Sequence, residues 1–227
     1  MNKEIILSAK NISKSFSEHG SLDILKDVSL DVLKGESIAI EGKSGSGKST
    51  LLNILGTLEM PSGGQLSICG KSVTQSAICK IRNSHIGFIF QSYHLLDDFS
   101  LLDNVLMPAK IARMSTGLSS SSHQRALALL DDLGLKDKLQ TPTKFLSGGE
   151  KQRACIARAL INSPDIIFAD EPTGNLDSAN AQMVYSMLLN LAKKEGKALI
   201  IVTHDKDLSA LCNKSFLLND GFLHPIG

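Results

Sequence analysis

Residues 42–49 constrain the fold of this 227-residue chain more than any other segment. Their sequence, GKSGSGKS, fits the pattern G-x-x-x-x-G-K-[ST] at every defined position. A short apolar run, residues 37–40, precedes this phosphate loop, and a helical pattern over residues 50–55 follows it. Strand, glycine-rich loop and helix in that order begin an α/β nucleotide-binding unit.

The residue types of the phosphate loop predict its chemistry. Glycines let backbone N–H groups curl around phosphate oxygens, and the following helix directs its positive dipole end at the same anion. Lys48 adds a charge near the β- and γ-phosphates, and the Ser49 hydroxyl can ligate Mg²⁺. The expected nucleotide-binding residues are therefore Gly42, Lys43, Ser44, Gly45, Ser46, Gly47, Lys48, Ser49 and Thr50.

An acid pair, Asp170 and Glu171, ends a second apolar run at residues 166–169. Adjacent acids are common on surface turns, but behind a buried strand in a chain with a phosphate loop they indicate catalysis. We expect Asp170 to hold Mg²⁺, directly or through water, and Glu171 to act as the general base on the attacking water. At this point kinases, GTPases and other phosphate-loop enzymes all remain possible.

Composition excludes several classes of partner. Twenty-four basic and 23 acidic residues leave a net charge of +1, so no overall field attracts nucleic acid or anionic lipid. No apolar run approaches the ~20 residues of a membrane span, which predicts a cytoplasmic protein. The cysteines are scattered, with no close pair, and indicate neither a zinc site nor a disulfide framework. They are Cys69, Cys79, Cys155 and Cys212.

The rest of the chain reads as an α/β protein with a helical insertion. Strands are expected at residues 4–7 and 22–33, and again at residues 166–169 and 198–202, the last two apolar throughout as in a parallel sheet covered on both faces. Between these two pairs, the pattern over residues 101–137 is helical. The serine-rich residues 115–122 predict a polar surface loop that interrupts it. A further helix is expected at residues 179–192.

Residues 146–153, LSGGEKQR, narrow the choice of family. They resemble the signature L-S-G-G-[EQ]-x-Q-R of the ATP-binding-cassette (ABC) family, and the resemblance extends over nearly the whole chain. Gln91 matches the family's glutamine loop, Asp177 its dimer-contact loop and His204 its switch histidine. Phe16 stands where the family usually places an aromatic residue against adenine, most often tyrosine.

The resemblance implies a fold, a cofactor and an assembly. The fold is a phosphate-loop ATPase with a mostly parallel core sheet, an N-terminal antiparallel part and an inserted helical subdomain. One domain spans residues 1–227, with residues 1–90 and 163–227 as the nucleotide-binding core and residues 91–162 as the glutamine loop, helical subdomain and signature helix. Catalysis falls to Glu171, His204 and Gln91, and the Mg²⁺ ligands are Ser49, Gln91 and Asp170.

The assembly implied by the resemblance is a head-to-tail dimer around ATP. The signature residues lie just before a helix, so they form a second anion cradle that one chain alone has no use for. In the family, Ser147 and Gly149 of one copy contact the γ-phosphate held by the other. Gly148, Glu150 and Asp177 are expected to complete that contact.

The membrane-spanning parts of the complex are predicted to lie on other polypeptides. The family joins such subunits to separate transmembrane permease proteins on the cytoplasmic face of the inner membrane, through a groove beside the glutamine loop. Residues 93–99 and 101–108 are apolar enough for such a docking surface, with burial against the core sheet as the alternative. Residues 172–177, together with residues 93–96 and 104–108, resemble the group that serves lipoprotein release, macrolide export and cell-division signalling, and residues 98–108 fit lipoprotein release best. A soluble cassette acting on ribosomes or DNA is the remaining alternative.

Overall fold

The computed structural model describes residues 4–16, 22–174 and 178–226. The strands are β1 Ile5–Phe16, β2 Leu22–Leu33, β3 Ser37–Glu41, β4 Gly63–Ile68, β5 Lys71–Ser72, β6 Ile86–Ile89, β7 Ile166–Asp170, β8 Ala198–Val202, β9 Lys214–Asn219 and β10 Phe222–Ile226. The α-helices are α1 Lys48–Leu55, α2 Ile78–His85, α3 Leu101–Ile111, α4 Ser121–Asp132, α5 Gly148–Leu160, α6 Ser178–Lys194 and α7 Lys206–Ala210.

Two sheets organise the chain, and they confirm the predicted fold class. An antiparallel sheet has the order β2-β1-β4-β5. A second sheet has the order β10-β9-β3-β8-β7-β6, and all its pairs are parallel except β9 with β10. Because β3, β8, β7 and β6 run the same way, their carboxyl ends meet at one edge, where the phosphate loop and the acid pair emerge.

The parallel sheet is buried on both faces, as its continuous apolar strands require. On one face, Phe168 and Ile200 pack with α1 and the antiparallel sheet. On the other, Ile167 and Leu199 pack with α3, α4, α5 and α6. The helical part of the chain therefore shares a hydrophobic core with the sheet that carries the site.

The serine tract is a loop over residues 115–120, as predicted, and only its last two residues belong to α4. Ser120 is the N-cap of α4 and accepts a hydrogen bond from the His123 amide, so the predicted loop ends two residues early. Ser122 and His123 are buried. The residues predicted as a polar break thus supply the hydroxyl that a helix start needs.

Burial settles the alternative readings of residues 101–108. Four side chains of α3 are buried in the core and do not form a surface: Leu101, Leu102, Val105 and Leu106. Leu96 and Phe99 remain exposed ahead of that helix. Within the described ranges, no helix combines the length and apolar composition needed to cross a bilayer.

Candidate functional site

The phosphate loop connects β3, which ends at Glu41, to α1, which begins at Lys48. Gly47 caps α1 in a left-handed conformation with φ +96°, and a Cβ there would lie 2.6 Å from Ile24 Cγ2. Gly42 passes so close to β9 that a Cβ would lie 2.6 Å from the carbonyl oxygen of Leu218. Only glycine fits at these two positions, so the loop's backbone is fixed by the elements around it.

Lys48 lies inside the loop that it serves. Its side chain is buried, and its Nζ donates to the carbonyl oxygens of Gly42 and Lys43, each at 2.9 Å. Ser46 Oγ is buried in the same loop without a hydrogen-bond partner. A buried hydroxyl that lacks a partner is costly, and a bound phosphate oxygen would satisfy it.

The loop borders a cavity of about 560 Å³ at the carboxyl edge of the parallel sheet. The cavity brings together most of the residues predicted from the sequence. Its lining consists of Ile24, Gly42, Ser44, Gly45, Gly47, Lys48, Ser49, Thr50, Gln91, Glu171 and His204. Lys43 and Ser46 belong to the same loop but are not part of this lining.

Ser49 and Asp170 place two oxygen ligands side by side next to the cavity. The Ser49 hydroxyl donates to Asp170 Oδ1 at 3.3 Å. Burial raises the pKa of Asp170, so its carboxylate is held where an opposite charge would stabilise it. Octahedral Mg²⁺ holds adjacent oxygen ligands roughly 2.9 Å apart, so this pair fits the ion after a small adjustment.

Glu171 is held between Gln91 and His204. Gln91 Nε2 donates to Glu171 Oε2 at 3.3 Å, and His204 Nδ1 lies 3.4 Å from Glu171 Oε1. The Glu171 backbone has φ +41°, and its amide donates to the Val202 carbonyl oxygen at 2.9 Å. The three residues predicted to be catalytic are therefore in contact, although they lie far apart in the sequence.

The signature segment, residues 146–153, forms the start of α5. Ser147 is the N-cap: its Oγ accepts from the Glu150 amide, and Glu150 Oε2 accepts from the Ser147 amide at 2.8 Å. This capping box lowers the pKa of Glu150, chiefly through the hydrogen bond from the Ser147 backbone. The Ser147 hydroxyl keeps its own proton to donate, and Gly148 and Gly149 open the helix. All four residues lie outside the lining of the cavity.

Two predicted contacts are not placed in the cavity. Phe16 ends β1, is 42% exposed and stacks beneath Lys14, whose Nζ is 4.9 Å from the ring centroid. It does not belong to the cavity lining. Asp177 lies outside the described residues.

Two residues that sequence reasoning passed over are part of the site's surroundings. Ile24, on β2, lines the cavity beside Gly47. Arg158, on α5, donates to the carbonyl oxygens of Tyr93 at 2.6 Å and His94 at 2.5 Å, two and three residues after Gln91. Nothing in the sequence marks Ile24, since one isoleucine on a strand resembles any other. Arg158 gave a signal, because it is a basic residue among the apolar positions of a helix.

A phosphate loop after β3, an acid pair at the end of β7 and a capped glycine pair at the start of α5 define an ABC-type ATPase. Comparison with known proteins agrees with this class. Residues 25–174 match the sequence profile of the family described as ABC transporter. The chain belongs to this family and is an ATPase.

The relatives of the chain narrow its place within the family. It is 50% identical over 220 residues to the lipoprotein-releasing system ATP-binding protein LolD of Protochlamydia amoebophila, covering 97% of this chain and 96% of that protein. It is 42% identical over 226 residues to LolD of Legionella pneumophila, covering 97% and 98%.

Solved structures with the same fold include two of the cassette MJ0796. A dimeric structure of this bacterial ABC transporter cassette superposes with a TM-score of 0.86 at 36% identity, covering 96% of each chain. A dimeric post-hydrolysis state of the same protein, bound to ADP and Pi, has a TM-score of 0.86 at 35% identity and the same coverage.

Proposed function

We propose that this chain is the ATP-hydrolysing subunit of a membrane complex that releases lipoproteins from the inner membrane towards the outer membrane. The observation that carries the proposal is similarity to LolD proteins along almost the entire length of both chains. Because that similarity includes the helical part, it covers the surface that would meet a partner as well as the ATP site.

The residues of the cavity divide the work of hydrolysis. The phosphate loop and Lys48 bind the phosphates, and Ser49, Asp170 and Gln91 would hold Mg²⁺, which would neutralise phosphate charge when bound. Glu171 accepts the proton of the attacking water. Gln91 and His204, one on each carboxylate oxygen of Glu171, keep that carboxylate aimed into the cavity. The exposed ring of Phe16 is the proposed stacking surface for adenine.

A second copy of the chain completes each site in this proposal. The Ser147 hydroxyl and the first amides of α5 are suited to an anion, yet they lie outside the cavity of their own chain. Residues 147–150, with Asp177, would therefore close the site of the partner copy. ATP is then shared between two chains, and its hydrolysis loosens their contact.

An exposed apolar patch is the proposed contact with the permease subunits. It consists of Leu96, Phe99 and Phe145, which are 43%, 49% and 70% exposed. Hydrogen bonds join the two segments: Thr143 donates through its Oγ1 to the Leu96 carbonyl and through its amide to the Phe99 carbonyl. Residues 91–162, which we assign to the glutamine loop, helical subdomain and signature helix, contain the whole patch, and Leu96 and Phe99 follow Gln91 within eight residues. Permease binding there would hold the chain at the cytoplasmic face of the inner membrane.

Reconstitution tests the proposal. The chain is co-expressed with its permease subunits, the complex is placed in proteoliposomes with a triacylated lipoprotein, and transfer of that lipoprotein to a soluble carrier is followed after ATP is added. We expect ATP-dependent release with the wild-type chain and none with Glu171→Gln. Asp137→Asn, which changes an exposed carboxylate of the helical part, is the control, and we expect it to release the lipoprotein as the wild type does.

Two other results would redirect the assignment. Permease subunits that co-purify with envelope hydrolases, with no release of lipoprotein, would indicate cell-division signalling. ATPase activity stimulated by a macrolide rather than by a lipoprotein would indicate efflux.

A further inference from the structure

Cys69, His85 and Asp165 form a cluster that the ATPase reaction does not use. Cys69 lies in the turn between β4 and β5, His85 ends α2, and Asp165 directly precedes β7. Because His85 and Asp165 stand at the amino ends of β6 and β7, the cluster lies at the opposite edge of the parallel sheet from the phosphate loop. It connects the antiparallel sheet, a helix and the parallel sheet.

The ligand atoms of the cluster are close enough to share one ion. A thiol sulfur, an imidazole nitrogen and a carboxylate oxygen all lie within 4.8 Å of one another. His85 Nδ1 is 2.7 Å from Asp165 Oδ2. Tetrahedral zinc, with bonds of about 2.0–2.3 Å, separates its ligand atoms by roughly 3.3–3.8 Å, so small side-chain movements suffice. All three side chains are partly buried, which limits competition from water.

We propose that Cys69, His85 and Asp165 form a binding site for a zinc-class divalent ion, with solvent as the fourth ligand. The mixture of sulfur, nitrogen and oxygen ligands favours Zn²⁺ or Co²⁺ and disfavours Mg²⁺, which prefers an all-oxygen shell. The ion replaces the thiol proton of Cys69, which is released to solvent. Once bound, it ties the β4–β5 turn to the amino edge of the parallel sheet.

Sequence patterns do not reveal this site, for a physical reason. Zinc sites are recognised from closely spaced cysteine and histidine pairs, and these three ligands are separated by 16 and 80 positions in the chain. Only the packing of the antiparallel sheet against α2 and β7 brings them together.

Lys71 supplies an internal test of the electrostatics. Its Nζ is 3.0 Å from His85 Nε2, on the other side of the imidazole ring from the Nδ1 that contacts Asp165, so a positive charge lies beside the proposed site. A neighbouring positive charge opposes binding of a cation. We therefore expect Lys71→Met to tighten metal binding several-fold, whereas loss of a ligand weakens it.

Cobalt spectroscopy on the full chain, without nucleotide and with Mg²⁺ present, tests the proposal. Burial and the adjacent Asp165 carboxylate raise the pKa of Cys69 to about 11, so this thiol is alkylated slowly even without metal. Protection of Cys69 from alkylation is therefore a poor measure of metal binding. Co²⁺ bound to a thiolate instead gives a near-ultraviolet charge-transfer band and intense visible bands of tetrahedral geometry. We expect both bands to saturate at one Co²⁺ per chain and to disappear when Zn²⁺ is added.

The variants separate this site from adventitious binding. Cys69→Ser should abolish the thiolate band and weaken Co²⁺ binding about 100-fold, and His85→Ala should weaken it similarly. Cys79→Ser, which removes an exposed thiol of the same helix as His85, should bind as the wild type does. Circular dichroism confirms that each metal-free variant is folded. Absence of the band from the wild type, or its persistence in Cys69→Ser, would overturn the proposal whatever the outcome of the ATPase experiments.

Discussion

Glu171 adopts a backbone conformation that a glutamate rarely occupies. Its φ of +41° lies in the left-handed region, which costs roughly 1–3 kcal/mol for a residue with a side chain. Hydrogen bonds hold it there: its amide donates to Val202, and its carbonyl accepts from the Gly174 amide at 3.1 Å. This conformation places the carboxylate between Gln91 and His204. The fold therefore maintains an unfavourable backbone at the position of the proposed base.

Replacement of Glu171 by glutamine should separate binding from hydrolysis. The amide keeps the size of the side chain but accepts no proton from water, so we expect kcat to fall about 10²–10⁴-fold while ATP still binds. Phosphate release and equilibrium binding of a fluorescent ATP analogue measure the two effects. Asp137→Asn is the control, and near-normal turnover in Glu171→Gln would remove Glu171 from the role of base.

Asp170 should limit stability while enabling activity. Burial raises the pKa of Asp170, so its ionised form is less favourable in the folded chain than in the unfolded one. The resulting loss of stability grows as the pH rises from the pKa of the unfolded chain to that of the folded chain, and it is fully present above both. We therefore expect Asp170→Asn to raise the Tm of the nucleotide-free protein at pH 7 and to cut ATP hydrolysis by about 100-fold or more. Calorimetry and a phosphate assay on the same sample provide the check; a lower Tm would contradict the argument.

Residue types and their positions after strands predicted much of the site. The phosphate loop, Asp170 and Glu171 each carry a local pattern that stands for a specific chemistry. The contacts of Glu171 with Gln91 and His204 do not, because they arise from the meeting of three strand ends. The capping role of Glu150 was also missed, although Ser147 and Glu150 have the spacing of a capping box.

At the scale of elements, α5 links the two halves of the proposed mechanism. It begins at the Ser147 cap and carries Arg158 about three turns later, roughly 16 Å along the axis. Arg158 holds the Tyr93 and His94 carbonyls, and Gln91 just before them contacts Glu171. One helix thus connects the signature segment to the segment that positions Glu171, the proposed base.

Loss of Arg158 should disturb activity beyond its cost in stability. Arg158→Ala removes the charge-assisted hydrogen bonds to the Tyr93 and His94 carbonyls, which costs about 1–3 kcal/mol and a Tm shift of roughly 2–4 °C per kcal/mol. We also expect kcat to fall about tenfold with little change in KM, since Glu171 loses its orientation. Arg158→Lys should recover part of this loss, because one ammonium can still reach a carbonyl.

Arg125 provides the matched control for that experiment. Its guanidinium donates to the Leu160 carbonyl at the end of α5 and to Glu195, rather than to the segment that follows Gln91. Arg125→Ala should lower the Tm by a similar amount and leave kcat near that of the wild type. Equal losses of kcat in the two variants would show that Arg158 acts only through stability.

The sequence anticipated elements whose patterns reflect burial on both faces. Residues 198–202 form β8 as predicted, because an apolar run of that length suits a central parallel strand. In contrast, β10 lies at the sheet edge with mostly exposed side chains and contains Pro225, so its pattern resembles a loop. The loop predicted for the serine tract is present over residues 115–120, but its end was placed two residues late, because composition does not show that Ser120 caps α4.

For the whole molecule, the separation of the signature segment from the cavity predicts dimerisation driven by ATP. In a Glu171→Gln background, ATP should convert the chain to a dimer, and Ser147→Arg should prevent this by placing a bulky side chain at the interface. Size-exclusion chromatography with light scattering measures the change. Ser120→Arg removes the cap of α4 and adds the same charge, so it should still dimerise. Dimers of Ser147→Arg would contradict the shared-site arrangement.

The two carbonyl groups that hold Lys48 have a consequence for the kinetics of nucleotide capture. A free lysine side chain loses up to about 2 kcal/mol of rotamer entropy when it is fixed, and in this chain most of that loss occurs during folding. The phosphates of an arriving triphosphate therefore meet an ammonium group that is already in position, and binding does not require the lysine side chain to search for its conformation. Capture should then proceed at a rate set mainly by diffusion into the cavity.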